Sequence, residues 1–470
     1  MKSPRFAIAI VLLVPTAILH GGDRSNVRAM GMARTLIACS RGTEALGINP
    51  ANLALHGRSA FSLSLAPFGF RISTELFSYD IYQEYFTGVA GTSPDGTREP
   101  RYLTNEDKDR ILGSLPEGVG STRFDFEVMA LGASLTTEKL GGFGFAVVDR
   151  AGALVELPRD YVRFFLYGLD STGSRYVFDG TGVSAWWWRE YNVSYGFRIP
   201  IELRIPQSVY VGLGVKFLRG YGMMETQRYA ASLANHRVGT NQYQLEVGFD
   251  YLARRSGVDF LDRDKEADFT PFPEPAGKGT GFDIGVSAQV MPGLFVAASV
   301  TDIGSIRWER NVVQTDGHYT MALDDPFEEQ HVDSLERALR GTNHPGESFS
   351  TSLPTALRLG VAVESDDFAY LRFLPGKMLL ALDYNQGLNS SMGNTTRPRV
   401  SIGMEYRLVS FLPLRTGLSF GGGDGVRWAA GFGLDFYYLS FDLATENFGL
   451  VFSPTEFQMF SIAAGLRVRI

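Results

Sequence analysis

The sequence predicts an all-β protein: a transmembrane antiparallel β-barrel of about 14 strands, within 12–16, closed around an N-terminal plug. Three observations predict it. Apolar and polar residues alternate with period two in segments of about 10–13 residues. That is the length of a tilted membrane strand, roughly 9–11 residues, rather than the roughly 5–6 of a soluble one. An apolar leader opens the chain, yet the one cysteine, Cys39, allows no disulfide framework. No later apolar run approaches the roughly 18 residues that a spanning helix needs.

Residues 1–22 read as a signal peptide. Lys2 and Arg5 supply the positive start, Phe6 to Leu19 the apolar stretch, and Gly21 and Gly22 small residues near a cut at about 20–23. "LIAC" at 36–39 is not a lipid-attachment site, because Asp23, Arg24, Arg28 and Arg34 separate Cys39 from the apolar stretch. Cys39 is expected to be a small buried residue.

Residues 23–57 form the plug segment. Arg34, Arg41, Glu44 and two Asn break any strand face between 31 and 55. Thr43 to Gly47 suits one helical turn ended by glycine. Asn49-Pro50-Ala51-Asn52 then forces a bend, since Pro fixes its own φ, biases Asn49 away from helix, and Asn side chains bond locally to backbone. A compact polar segment of this size suits the lumen of a 14-strand barrel; a loosely ordered periplasmic tail is the alternative.

Residues 58–470 carry the barrel. Val400, Ile402, Met404, Tyr406 and Leu408 alternate with Arg399, Ser401, Gly403, Glu405 and Arg407. The pattern recurs near 58–66, 68–77, 123–136, 141–151, 186–199, 207–220, 241–254, 279–291, 293–302, 355–364, 377–386, 397–408, 412–421, 425–436, 437–446 and 457–470. Some of these 16 segments are expected to merge or to lie outside the barrel. A soluble sandwich would bury the apolar faces between two sheets. Segment length, and opposite faces rich in Arg, Glu, Asp, Gln and Gly, favour a wet or plugged lumen. Short connections at 136–141, 291–293 and 408–413 belong to the periplasmic side, and long ones at 78–122, 151–182 and 303–354 to the outside. The alternation fails once, because 221–241 and 255–278 are both long. Either a strand near 229–234 is missing from the count or one periplasmic connection is extended. Residues 105–118 suit a short loop helix capped by Thr104 or Asn105, with Leu112 and Leu115 packing inward. "GGGDG" at 421–425 reads as a tight connection. Trp186 to Trp188 and 435–441 suit the interfacial aromatic belts; for the tryptophans a hydrophobic loop cluster is the alternative.

Gly465, Val468 and Ile470 have the spacing of a C-terminal barrel-assembly signal, with Ile in place of the usual final aromatic. The net charge of −7 argues against a nucleic-acid partner. The six histidines form no metal motif, no nucleophile elbow occurs, and neither a metal, a cofactor nor a catalytic role is expected.

"GMARTLIACSRGTEALGINPANLAL" (31–55) resembles the N-terminal signature of FadL-like outer-membrane transport proteins, and 281–308 and 353–363 resemble their paired strands. The likeness leans to an uncharacterised branch that is also similar to PorV-type secretion proteins. It implies an outer-membrane barrel of a Gram-negative-type bacterium, with Asn49, Pro50, Ala51 and Asn52 holding a hatch in the lumen. It also implies passage of hydrophobic molecules such as long-chain fatty acids, or else a platform for a secretion or surface-attachment complex. The partners implied are outer-membrane lipid, a hydrophobic small-molecule ligand and the barrel-assembly machinery.

Overall fold

The computed structural model describes residues 24–470 except 58, 77, 91–97, 170–173, 201–203, 240–241, 259–272, 324–328, 369–374, 423–424 and 453–457. The expected signal peptide lies outside the described residues.

Fourteen antiparallel strands close into a barrel. The first seven are β1 (Phe61–Thr74), β2 (Val119–Thr137), β3 (Gly141–Pro158), β4 (Gly182–Ile199), β5 (Ser208–Gly239), β6 (Gly277–Met291) and β7 (Leu294–Trp308). The rest are β8 (Ala356–Glu364), β9 (Lys377–Gly387), β10 (Arg399–Arg407), β11 (Leu414–Gly421), β12 (Val426–Asp435), β13 (Leu439–Thr445) and β14 (Met459–Arg469). Each pairs with its neighbour in sequence, and β1 closes the ring on β14 through pairs such as Leu63 with Val468. Full closure leaves no unpaired edge for hydrocarbon to meet.

The faces are inverted relative to a soluble protein. Val400, Ile402, Leu418 and Trp428 stand exposed on the outer wall, while Arg399, Ser401, Glu405 and Arg415 are buried inside. Apolar faces do not meet one another, so the sandwich is excluded. The outer faces can only be stabilised by lipid, and the wall reads as membrane-spanning. Among the described residues no helix is long and apolar enough to cross a membrane.

Two expected segments, 58–66 and 68–77, merge into β1. A bulge between Leu65 and Phe68 shifts its register on β14, and Ala66 takes a left-handed φ of 45° there. Of the 16 alternating segments, 241–254 is the one that lies outside the wall. β5 pairs with β6 only through Ser208 to Gly220; beyond that it leaves the wall and pairs with Gln242–Ser256. The missing strand near 229–234 is therefore the continuation of β5. Its hairpin joins Val313–Leu323 in a sheet outside the barrel. Phe249 and Tyr319 are buried in that sheet, with Leu335 and Ala338 of the helix Glu329–Arg340 packed against them. This single excursion restores the alternation of short and long connections.

The loop helix is present as Asn105–Gly113, with Thr104 and Asp107 forming a capping box, and Leu112 buried. Tyr437 and Tyr438 stand exposed at a short turn, as a belt requires. Trp186 and Trp188 do not join a belt. They point inward and are buried at 4% and 1% exposure.

Candidate functional site

Residues 24–55 thread the lumen as a plug, and almost all of them are buried. Three short turns organise it. Val27–Gly31 is a helical turn capped by the Asn26 side chain, Gly42–Ala45 a 3-10 turn, and Pro50–Ala54 a second 3-10 turn. The bend forms as the residues dictate: Asn49 is extended, its side chain accepts from the Ala51 N–H at 3.1 Å, and Pro50 takes the first helical position.

Asn49 and Asn52 also tie the bend to the wall. Asn49 Nδ2 donates to Ser287 Oγ at 2.9 Å. Asn52 Nδ2 donates to the Ile37 carbonyl at 2.8 Å and to Ser40 Oγ at 2.7 Å, while its Oδ1 accepts from Ser287 Oγ. Ser287 on β6 thus bridges both asparagines. Pro50 and Ala51 hold the bend by close backbone packing instead. A Cβ on Gly196 or Gly212 would overlap them, and one on Gly285 would overlap the Asn49 side chain. The same relation recurs around the ring, at Gly142 against Leu53, Gly360 against Ile37, Gly403 against Met32 and Thr35, and Gly431 against Gly31. Inward-facing glycines let the plug lie directly on wall backbone.

Ion pairs complete the docking. Arg24 reaches Glu190 at 2.9 Å and Asp302 at 3.3 Å. Asp302 and Asp283 share Lys216 at 2.5 and 2.6 Å, all three buried. Arg28 bridges Glu405 at 2.8 Å and the plug's own Glu44 at 3.0 Å. Arg34 forks onto Glu446, and Arg41 meets Glu364 at 3.1 Å. The Asp383 carboxylate accepts the Leu36 and Ile37 N–H groups at 2.6 and 3.0 Å. The plug is held by many charge-assisted bonds and by no covalent one.

Glu44 is the plug's own acid. Burial would raise its carboxyl, but Arg467, Arg28 and Arg469 outweigh burial and hold it at about 2 against a usual 4.5. A depressed carboxyl stabilises docking fully above its unfolded value and loses that contribution as pH falls through the folded one. Conductance through the purified barrel is therefore expected to stay closed from neutral pH down to about 4.5 and to rise between about 4.5 and 2. Glu44→Gln should conduct more than wild type at neutral pH, because Arg467 and Arg28 then lose a charged partner.

Above the plug, toward the long loops, lies an apolar layer of Trp186, Trp188, Trp308, Ile306, Leu353 and Met392. Arg150 stacks on Trp188 at 5.0 Å and pairs with Asp302, joining this layer to the charged one below. Cavities flank the plug and are polar. One of about 40 Å³ lies between Arg24, Glu44 and the wall at Pro67 and Gly465; another of about 310 Å³ opens at the short-turn end among Arg41, Glu364 and Arg469. Among the described residues no group of three or more His, Cys, Asp or Glu could hold a metal.

Gly465, Val468 and Ile470 lie on the closing strand and just past it. Val468 pairs with Leu63, and Ile470 exchanges backbone bonds with Phe61. Sequence reasoning missed the tryptophan layer and the ion-pair partners on the wall. Parity held the signal for the first: counting back in twos from Glu190 puts Trp188 and Trp186 on the inner face.

A family model described as a family of unknown function, DUF5723, matches residues 54–442. No curated protein matches the chain. Similar solved structures include the Ralstonia pickettii toluene transporter TbuX, with 12% identity, 94% of this chain and 97% of that one covered, and a TM-score of 0.47. A Pseudomonas aeruginosa FadL homologue has 12% identity, 96% and 98% coverage and a TM-score of 0.43. The P. putida toluene transporter TodX has 12% identity, 94% and 96% coverage and a TM-score of 0.44.

Proposed function

This chain belongs to the DUF5723 family, and from that premise we propose that it is an outer-membrane channel for hydrophobic molecules, long-chain fatty acids among them, gated by its plug. One observation carries the reading: a wall of 14 strands, wide enough to be open, is filled by a segment that only reversible bonds hold. Passage requires that the plug shift. A sideways route would pass beside Pro67 and Gly465, where a small cavity lies against the β1 bulge. Asn49, Pro50, Ala51 and Asn52 set the rest position. In this reading the protein is no enzyme and needs no cofactor. Its surroundings are outer-membrane lipid, and the strand ending in Gly465, Val468 and Ile470 addresses the barrel-assembly machinery.

A second reading has support of its own. The lumen is filled by the plug, and the β5 hairpin, Val313–Leu323 and the helix Glu329–Arg340 build a folded body outside the wall. Such a body suits a platform for a secretion or surface-attachment complex. Uptake of labelled oleate by cells with and without the protein separates the two. The channel reading expects faster uptake with it; equal uptake, with insertion verified, removes this substrate class and leaves the platform.

A further inference from the structure

We propose that the tryptophan layer is a ligand chamber stoppered by Met392, and that its ligand is a flat aromatic molecule carrying a hydrogen-bond acceptor. The proposal rests on the channel reading for its place on a transport path, but not for the binding itself. Two independent observations carry it. The indole N–H of Trp188 is buried at 1% exposure with no hydrogen-bond partner among the described residues. By contrast, the Trp308 indole donates to Thr351 Oγ1 at 2.8 Å. The Trp188 donor is thus unmatched beside a matched Trp308 donor, and an acceptor arriving from outside would satisfy it.

The second observation is how the layer is closed. Met392 sits in the 3-10 turn Ser391–Gly393, between β9 and β10, and that turn packs on β3 and β4 at the opposite side of the barrel mouth. Its backbone is left-handed, with φ 49° and ψ 47°, where a non-glycine residue is strained. Asn389 and Asn394 hold the turn, donating to the Leu353 carbonyl at 2.8 Å and the Thr355 carbonyl at 2.9 Å. Glycine would take this conformation freely. A methionine held there at a conformational cost is a side chain that the layer requires. It is flexible and polarisable, and suited to fill and vacate an aromatic slot. Removing its side chain frees on the order of 100 Å³, close to the volume of a benzene ring, and apolar cavities of this kind bind benzene.

The test uses the full-length protein in detergent, titrated with acetophenone or ethylbenzene and followed by tryptophan emission. The two probes have similar shape, and only acetophenone has an acceptor. Met392→Gly should bind both probes about tenfold or more tightly than wild type, because the stopper is gone and the strain with it. It should also prefer acetophenone by about fivefold or more, a preference that Trp188→Phe in the same background abolishes while ethylbenzene binding stays. Trp428→Phe, on the outer wall, should change neither. Binding in Met392→Gly no tighter than wild type, or a preference that survives Trp188→Phe, overturns the proposal. Plug movement is not needed for these titrations. Probe binding without oleate uptake would therefore remove fatty acids as the cargo and leave the chamber standing.

Discussion

Replacing Gly212 with valine is expected to drive the plug out of its seat. A side chain there would overlap the main chain of Pro50 and Ala51, and neither can move without breaking the Asn49 and Asn52 bonds to Ser287. Overpacking costs about 1–3 kcal/mol or more, and at the upper end the undocked population rises on the order of 100-fold. Single-channel recording in planar bilayers should show a closed wild type and a frequently open Gly212→Val barrel. Gly248→Val is the control. Its added Cβ finds nothing nearer than 3.9 Å, in the sheet outside the wall, and conductance should not change.

Arg24→Met should loosen the plug by a different route. Glu190 is 1% exposed and takes both its ion pair and its hydrogen bond from Arg24. Stripping one partner from a buried pair costs about 3–5 kcal/mol, since the remaining charge stays out of water. The open fraction should rise accordingly. Adding Glu190→Leu should restore much of the closure, because an apolar pair of similar volume carries no unpaired charge. If the double variant opens as readily as Arg24→Met, the pair does not hold the plug.

The barrel was legible because lipid imposes period two on every wall strand. β10 could be read directly from Arg399 to Arg407. The β5 hairpin was not, since its alternation continues past the membrane edge. Tyr243 to Tyr251 show the same pattern whether lipid or a helix covers the apolar face, and here Leu335 and Ala338 do. The plug bend was legible from Asn49-Pro50-Ala51-Asn52, since its geometry is local. Its docking was not. Arg24, Arg28, Arg34 and Arg41 show as charges, but Glu190, Glu405, Glu446 and Glu364 lie more than 160 positions away and only folding pairs them. The glycines carried a partial signal. Gly196, Gly212, Gly285 and Gly403 all fall on the polar face, where a plug and not lipid must pass close to the wall.

The most direct test of a lumen filled by residues 24–55 is the reactivity of Cys39, which is the chain's one cysteine, lies in the plug and is 1% exposed. Burial also pushes its thiol up, so little thiolate forms. Treated with a membrane-impermeant maleimide from both sides, the folded barrel should stay unlabelled at Cys39 and label fully once denatured. Rapid labelling of the folded wild-type protein would show the segment hanging free of the barrel, and a sealed, plug-gated lumen would then be wrong.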